Sequence, residues 1–366
     1  MVILLFLSSG LFLGWSLGAN DASNIFGTAV STKMVKFTTA AIVASIFVVM
    51  GAVVSGAGTT HTLGKLGAVD MIAGAFMVAL AAAVTVFWMT KLSLPVSTSQ
   101  AIVGAIVGWN LFAGKATDMQ ALTKIASTWV MSPILAAAFS FVLFLLFKKV
   151  LVKWKIHIFR LDAYTRAGLI VVGAFGAYSL GANNIGNVMG VFVNVAPFTD
   201  IDLWGLKVSG VEQLFLLGGL AIAVGIFTYS KRVMLTVGKG VVKLTPQSAL
   251  VVVLSQSIVL FLFASKGLEG WLMSHNLPTI PLVPVSSSQV VIGSVLGIGL
   301  ANGGRGIQFK QLGRIASGWV TTPIIAAVIA FISLFFLQNV FDQQVVKPMD
   351  HTINHQPAII EKVTHG

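Results

Sequence analysis

Long apolar stretches separated by short polar links set the pattern of this chain. Runs able to cross the roughly 30 Å of a bilayer's hydrocarbon core fall near 2–30, 36–58, 68–90, 94–114, 121–147, 164–195, 206–230, 247–265, 284–303 and 312–338. The pattern predicts an all-α polytopic membrane protein with about 10–12 transmembrane or re-entrant helical segments. The first run has no basic leader and passes directly into Asn20 and Asp21, so it reads as a retained span and not a cleaved signal. Residues 267–283, with Glu269, Trp271, His275 and two prolines, are expected to form an external loop. The polar tail 341–366 is expected to be solvated.

Composition removes the soluble alternatives. Hydrophobic residues make up 56% and charged residues 9% of the 366 positions, against about a quarter charged in soluble domains. There is no cysteine, hence no disulfide framework, thiolate site or thiol nucleophile. The net charge of +12 does not point to nucleic acid, because the bases sit in the links between apolar runs. Lys148, Lys149, Lys153, Lys155, Arg160 and Arg166 lie between two runs, and Lys231, Arg232, Lys239 and Lys243 lie between two others; 196–206 carries Asp200 and Asp202 and no base. By the positive-inside rule the basic links are cytoplasmic and 196–206 is external. Lys33, Lys36 and Lys91 then also fall inside, and both termini outside. An odd number of crossings per half turns the halves upside down relative to each other.

Internal repetition supports those halves. Gly18-Ala19-Asn20-Asp21-Ala22-Ser23-Asn24 recurs as Gly181-Ala182-Asn183-Asn184-Ile185-Gly186-Asn187, with Gly27 matched by Gly190. Pro95-Val96-Ser97-Thr98-Ser99-Gln100 recurs as Pro284-Val285-Ser286-Ser287-Ser288-Gln289, and Gly104 and Gly293 follow. The third pair is Lys124-Ile125-Ala126-Ser127-Thr128-Trp129-Val130 with Pro133, against Arg314-Ile315-Ala316-Ser317-Gly318-Trp319-Val320 with Pro323. The order predicts a first repeat at 1–150, a basic cytoplasmic link at 151–166, a second repeat at 167–340 and a tail at 341–366. Inverted repeats with polar, broken segments at matching places are a hallmark of secondary transporters, whose substrate lies near the midplane. Channels also use such repeats.

The repeated motifs carry two chemistries. Asn20, Asp21 and Asn24, and again Asn183, Asn184 and Asn187, share one helical face. Such converging oxygens suit a hard cation such as sodium, and a helix broken near Gly18 or Gly181 would add free carbonyls. Interhelical hydrogen bonding by Asn is the plainer alternative, but it does not explain the duplication. Asp21 is the acid deep in a span; a carboxylate there costs about 2.5–3.5 kcal/mol, so a bound cation or a proton is expected as its partner. Glu212 lies near a span end and reads as structural. In the second motif, proline stops any preceding helix, Ser97 and Ser286 suit N-caps, and Gln100 and Gln289 stand three residues on as in a capping box. A helix start inside the membrane offers free N–H groups and the positive end of its dipole to an oxyanion. Ser97, Thr98, Ser99, Gln100, Ser286, Ser287, Ser288 and Gln289 are therefore the candidate anion ligands. Simple capping is the alternative.

Other signals fail. Gly58 to Lys65 has five residues between its glycines and Leu66 after the lysine, so it is no phosphate loop. No serine has the His and Asp partners of a triad, and no catalytic residue is expected. The His351 and His355 pair in the tail is a weak metal signal.

Gly-Ala-Asn-Asp with Asn24 and Gly27, and Pro-Val-Ser-Thr-Ser before a glycine-rich helix, both duplicated, resemble the PiT family of inorganic phosphate transporters over essentially all of 1–340. The resemblance implies sodium- or proton-coupled symport of inorganic phosphate in the cell membrane, with elevator-like or rocking exchange, as a homodimer. By motif position, Asn20, Asp21, Asn24, Asn183, Asn184 and Asn187 would hold Na+, and the Ser/Thr/Gln segments phosphate. The sequence departs from the family pattern where Asn184 replaces a second Asp and where Gln100 and Gln289 replace groups able to titrate near neutral pH. Both departures favour sodium over protons. A proton-coupled sulfate or other oxyanion symporter is the runner-up, ahead of an anion channel.

Overall fold

In hydrocarbon the backbone must satisfy its own polar groups, so apolar runs of this length become helices. A computed structural model describes residues 2–92, 96–154, 157–203, 205–237, 244–304 and 307–347. Among them, seven helices are long and apolar enough to cross a membrane. These are α1 (Val2–Ser31), α2 (Phe37–Ser55), α4 (Ile72–Lys91), α6 (Met119–Trp154), α7 (Ile158–Met189), α8 (Gly210–Thr228) and α13 (Phe309–Asn339). α10 (Pro246–Leu262) and α11 (Lys266–Ser274), bent by 65° at a short break, form a broken span or a re-entrant loop. Two further apolar helices, α5 (Thr98–Ala113, 16 residues) and α12 (Ser287–Ala301, 15 residues), are too short to cross alone at about 1.5 Å per residue. Short helices α3 (Ala57–Leu66) and α9 (Ser230–Val237) follow α2 and α8. A two-stranded hairpin, β1 (Ile201–Leu203) and β2 (Leu206–Val208), pairs Asp202 with Lys207 in the segment expected to be external.

Three expectations are corrected. First, α1 and α7 run unbroken through both Asn motifs. Gly18 and Gly181 do not break these helices; they let neighbours approach. A Cβ on Gly18 would collide with the Ile222 carbonyl of α8, and one on Gly181 with the Val48 carbonyl of α2. The partners reciprocate, Gly225 lying against Trp15 and Gly51 against Tyr178. Small residues that admit a facing backbone are the usual contact in membrane bundles, where packing and not hydrophobicity drives association. Second, 267–283 is not simply a loop: Ser265 caps α11, and extended chain from 277 leads to α12. Third, the tail is not solvated throughout: residues 341–344 are exposed, but the chain then turns inward. Val345 is fully buried, its carbonyl accepts from Trp109 Nε1 at 3.2 Å, and Lys347 N donates to Asp70 Oδ1. His351, His355 and Pro95 lie outside the described residues. The basic segment 151–166 consists mostly of the ends of α6 and α7, so most of its bases ride on helix.

The third repeated motif has a packing role. A Cβ on Gly104 in α5 would strike the Pro323 carbonyl in α13, and one on Gly293 in α12 would strike the Pro133 carbonyl in α6. Each short helix therefore beds on a proline-bearing helix from the other half of the sequence. α6 and α13 lie outermost, with 17% and 22% of their most apolar windows buried, against 56% and 61% for α1 and α7. The Asn motifs thus ride on the central helices. Gly293→Ala should separate α12 from α6 and destabilise by about 1–3 kcal/mol, read as a lower melting midpoint of the detergent-solubilised protein. An unchanged midpoint would mean that α6 yields.

Candidate functional site

The two hydroxyl motifs begin α5 and α12. Ser97 Oγ accepts from Gln100 N at 3.2 Å and Ser286 Oγ from Gln289 N at 3.3 Å, so both serines are N-caps. The expected capping boxes are only half made, because Gln100 Oε1 and Gln289 Oε1 do not turn back and lie buried without partners. Thr98 Oγ1 is likewise buried and unpartnered. The helix starts are therefore capped by their first hydroxyl, while the next residues keep unused polar atoms inside the protein. Glu212, by contrast, completes a full capping box with Ser209 at the start of α8, which confirms its structural reading.

The Asn motifs reach these helix starts crosswise. Asp21 Oδ1 accepts from Asn20 Nδ2 at 2.8 Å, and Oδ2 accepts from Ser287 Oγ at 2.7 Å. The first half's carboxylate is thus bonded to the second half's helix start. Conversely, Asn187 Nδ2 donates to Ser99 Oγ at 2.7 Å and to Asn184 Oδ1 at 3.0 Å, so the second half's Asn motif reaches the first half's helix start. Ser99 Oγ passes its own proton to the Val285 carbonyl at 3.0 Å, tying the two helix starts together. Asn183 clamps the extended approach to α12, donating to Val283 O at 3.3 Å and accepting from Val285 N at 3.0 Å. Asn184 Nδ2 bonds back to Leu180 O, and Ser286 and Ser288 share a hydrogen bond at 3.1 Å.

Thirteen of the fourteen residues expected from sequence are buried, and Asn24 is half-buried. Asp21 joins Asn20 to Ser287, and Asn187 joins Asn184 to Ser99; Asn24 Nδ2, Thr98 Oγ1 and the Oε1 atoms of Gln100 and Gln289 are left without partners. Asp21 is 1% exposed and both its partners are neutral. A buried carboxylate without a cationic neighbour calls for a countercharge. Acceptor oxygens left over on Asn187, Gln100 and Gln289 call for donors or a cation. Among the described residues no cluster of His, Cys, Asp and Glu could hold a transition metal. The donor set consists of oxygen atoms with one acid, which fits a hard monovalent cation beside an anion held by helix starts.

Sequence reasoning missed Gln256. It lies on α10, 1% exposed, and its Nε2 donates to the Asn24 carbonyl at 2.8 Å. Its signal was Ser255-Gln256-Ser257, three polar residues inside an apolar span, without a counterpart among the repeated motifs.

The family model of the phosphate transporter family matches residues 17–330 and 267–363. A protein of Pyrococcus horikoshii named "Putative phosphate permease" is 26% identical over 404 aligned positions, covering 90% of this chain and 96% of its own. "Sulfate permease CysP" of Bacillus subtilis is 29% identical over 346 positions, covering 89% and 86%. A solved structure named "The sodium-dependent phosphate transporter" superposes with a TM-score of 0.74 over 92% of this chain and 99% of its own, at 24% identity. At that identity the match establishes the fold.

Proposed function

The chain belongs to the phosphate transporter family, and from that membership we propose that it is a multi-pass symporter carrying inorganic phosphate across the cell membrane with sodium, by alternating access. The carrying observation is the 2.7 Å bond between Asp21 and Ser287. It puts the acid suited to a cation against the helix start suited to an anion. In this reading Asn20, Asp21, Asn24, Asn183, Asn184 and Asn187 organise sodium, while Ser97, Thr98, Ser99, Gln100, Ser286, Ser287, Ser288 and Gln289 hold phosphate. The halves 1–150 and 167–340 act as inverted repeats around this site, with both termini outside and two copies forming a homodimer.

Electrostatics sets the order of binding. Desolvating a phosphate anion beside Asp21 without countercharge is prohibitive, so sodium binds first or together with it. Each sodium entering down 100 mV supplies about 2.3 kcal/mol, and each tenfold sodium ratio about 1.4 kcal/mol more. Those quantities drive phosphate uphill, which a channel cannot do.

A second reading, proton-coupled transport of sulfate or a similar oxyanion, is favoured by the similarity to the sulfate permease. The unpartnered acceptors Gln100 Oε1, Gln289 Oε1 and Asn187 Oδ1 weigh against it. Near neutral pH phosphate carries an O–H that can donate to such an oxygen, and sulfate carries none. The test is radiolabelled phosphate uptake into proteoliposomes under a sodium gradient, a potassium gradient or a pH step, with sulfate as competitor. Uphill uptake with sodium only, resistant to a hundredfold excess of sulfate, is the expected result. Uptake driven by the pH step alone and blocked by sulfate establishes the second reading.

A further inference from the structure

The bond between Gln256 and Asn24 has an asymmetry that neither motif predicts. A carbonyl oxygen only accepts, so the end of the Gln256 amide facing the Asn24 carbonyl must be nitrogen. The end left over is Oε1, buried without a partner, and the neighbouring Asn24 Nδ2 is also unpartnered. The free atom of Gln256 is therefore an acceptor, and its orientation follows from the bond geometry and not from an arbitrary choice of amide flip.

The position is peculiar to one half. The sequence offset that carries Gly51 onto Gly225, two glycines in equivalent close contacts, also carries Val78, Leu80 and Phe87 onto Val252, Leu254 and Phe261. It carries Ala81-Ala82-Ala83 onto Ser255-Gln256-Ser257. Ala82 is fully buried and apolar where Gln256 is buried and polar. Ser255 is accounted for by its bond to the Ala136 carbonyl of α6 and Ser257 by its bond to Val253 O. Gln256 Oε1 is not accounted for. It lies beside α1, the helix whose Asn motif keeps a carboxylate, Asp21 standing one turn before Asn24. An extra neutral oxygen next to a single carboxylate raises the ligand number of a monovalent site without adding charge.

We propose that Gln256 is a sodium ligand, its Oε1 completing a cation site with Asp21 and Asn24 between α1 and α10. This rests on the sodium-coupled reading. The full-length protein is reconstituted, and sodium is titrated both by phosphate uptake and, without phosphate, by thermal stabilisation. Gln256→Met keeps the volume and removes the oxygen together with the nitrogen that donates to the Asn24 carbonyl; it should raise the apparent sodium constant about tenfold and leave the phosphate constant at saturating sodium unchanged. Ser255→Ala, one residue away, should move neither. Gln256→Glu brings a second negative charge and should lower the sodium constant severalfold, which covers the case of a poorly folding Met variant. A wild-type sodium constant in Gln256→Met, an equal shift in Ser255→Ala, or a raised phosphate constant with sodium unaltered overturns the proposal while leaving sodium coupling intact. A wild-type protein neither stimulated nor stabilised by sodium overturns the coupling reading and this ligand with it.

Discussion

Asp21→Asn abolishes sodium-stimulated phosphate uptake while the protein still folds and inserts. The fold survives because the replacement has a precedent in the same molecule: Asn184 occupies the matching position of the second half, buried and hydrogen-bonded to Leu180 and Asn187. An amide at 21 can still accept from Asn20 and meet Ser287, so the contact between α1 and the start of α12 is kept. What disappears is the negative charge beside Asn20 and Asn24 of α1. Removing one member of a buried charge pair costs about 3–5 kcal/mol, which corresponds to roughly a hundredfold to several thousandfold in sodium affinity. At ordinary sodium concentrations uptake should fall to the level of empty vesicles, at equal amounts of inserted, monodisperse protein. Undiminished sodium stimulation in this variant removes Asp21 from the coupling site.

The second large effect is on the anion. Thr98→Ala with Ser287→Ala takes one hydroxyl from each helix start but spares the caps, since Ser97 and Ser286 perform the capping. Hydrogen bonds to a charged group are worth about 1.5–3 kcal/mol each, so the double variant should raise the phosphate constant at saturating sodium by about a hundredfold or more. Thr98 is the cleaner half of the pair because its Oγ1 has no partner within the protein and nothing else is lost with it. Ser287 also releases Asp21 Oδ2, so the sodium constant should shift in the Ser287 variant and not in the Thr98 variant. A phosphate constant equal to wild type in the double variant would reduce both motifs to helix capping.

The sequence was informative where a pattern repeats and silent where a contact is made once. Duplicated motifs singled out thirteen residues that the structure buries, with half-buried Asn24, and apolar length predicted nearly every crossing. Repetition could not say that the carboxylate of one half bonds to the helix start of the other, because Asp21 and Ser287 are far apart in the chain. Gly18 and Gly181 misled: glycine in a polar stretch suggests a break, but the same missing Cβ serves close helix approach, and only the neighbours at Ile222 and Val48 decide between them. Gln256 went unseen because it has no repeat partner. The docking of Val345 under Trp109 is equally unreadable from a polar tail.

The crosswise seating of α5 on α13 and of α12 on α6 bears on how the protein is made. Translation delivers α5 to the membrane with its glycine face complete, yet the helix that receives Gly104, α13, begins only at Phe309 and emerges much later. Until then α5 is an under-length segment with polar atoms at its start, packed against α4 but lacking its bed on α13. A chain released early, short of α13, lacks both the bed for α5 and the tail that Asp70 and Trp109 hold. The helix that receives Gly104 therefore completes the seat of α5 only after α5 itself has been made.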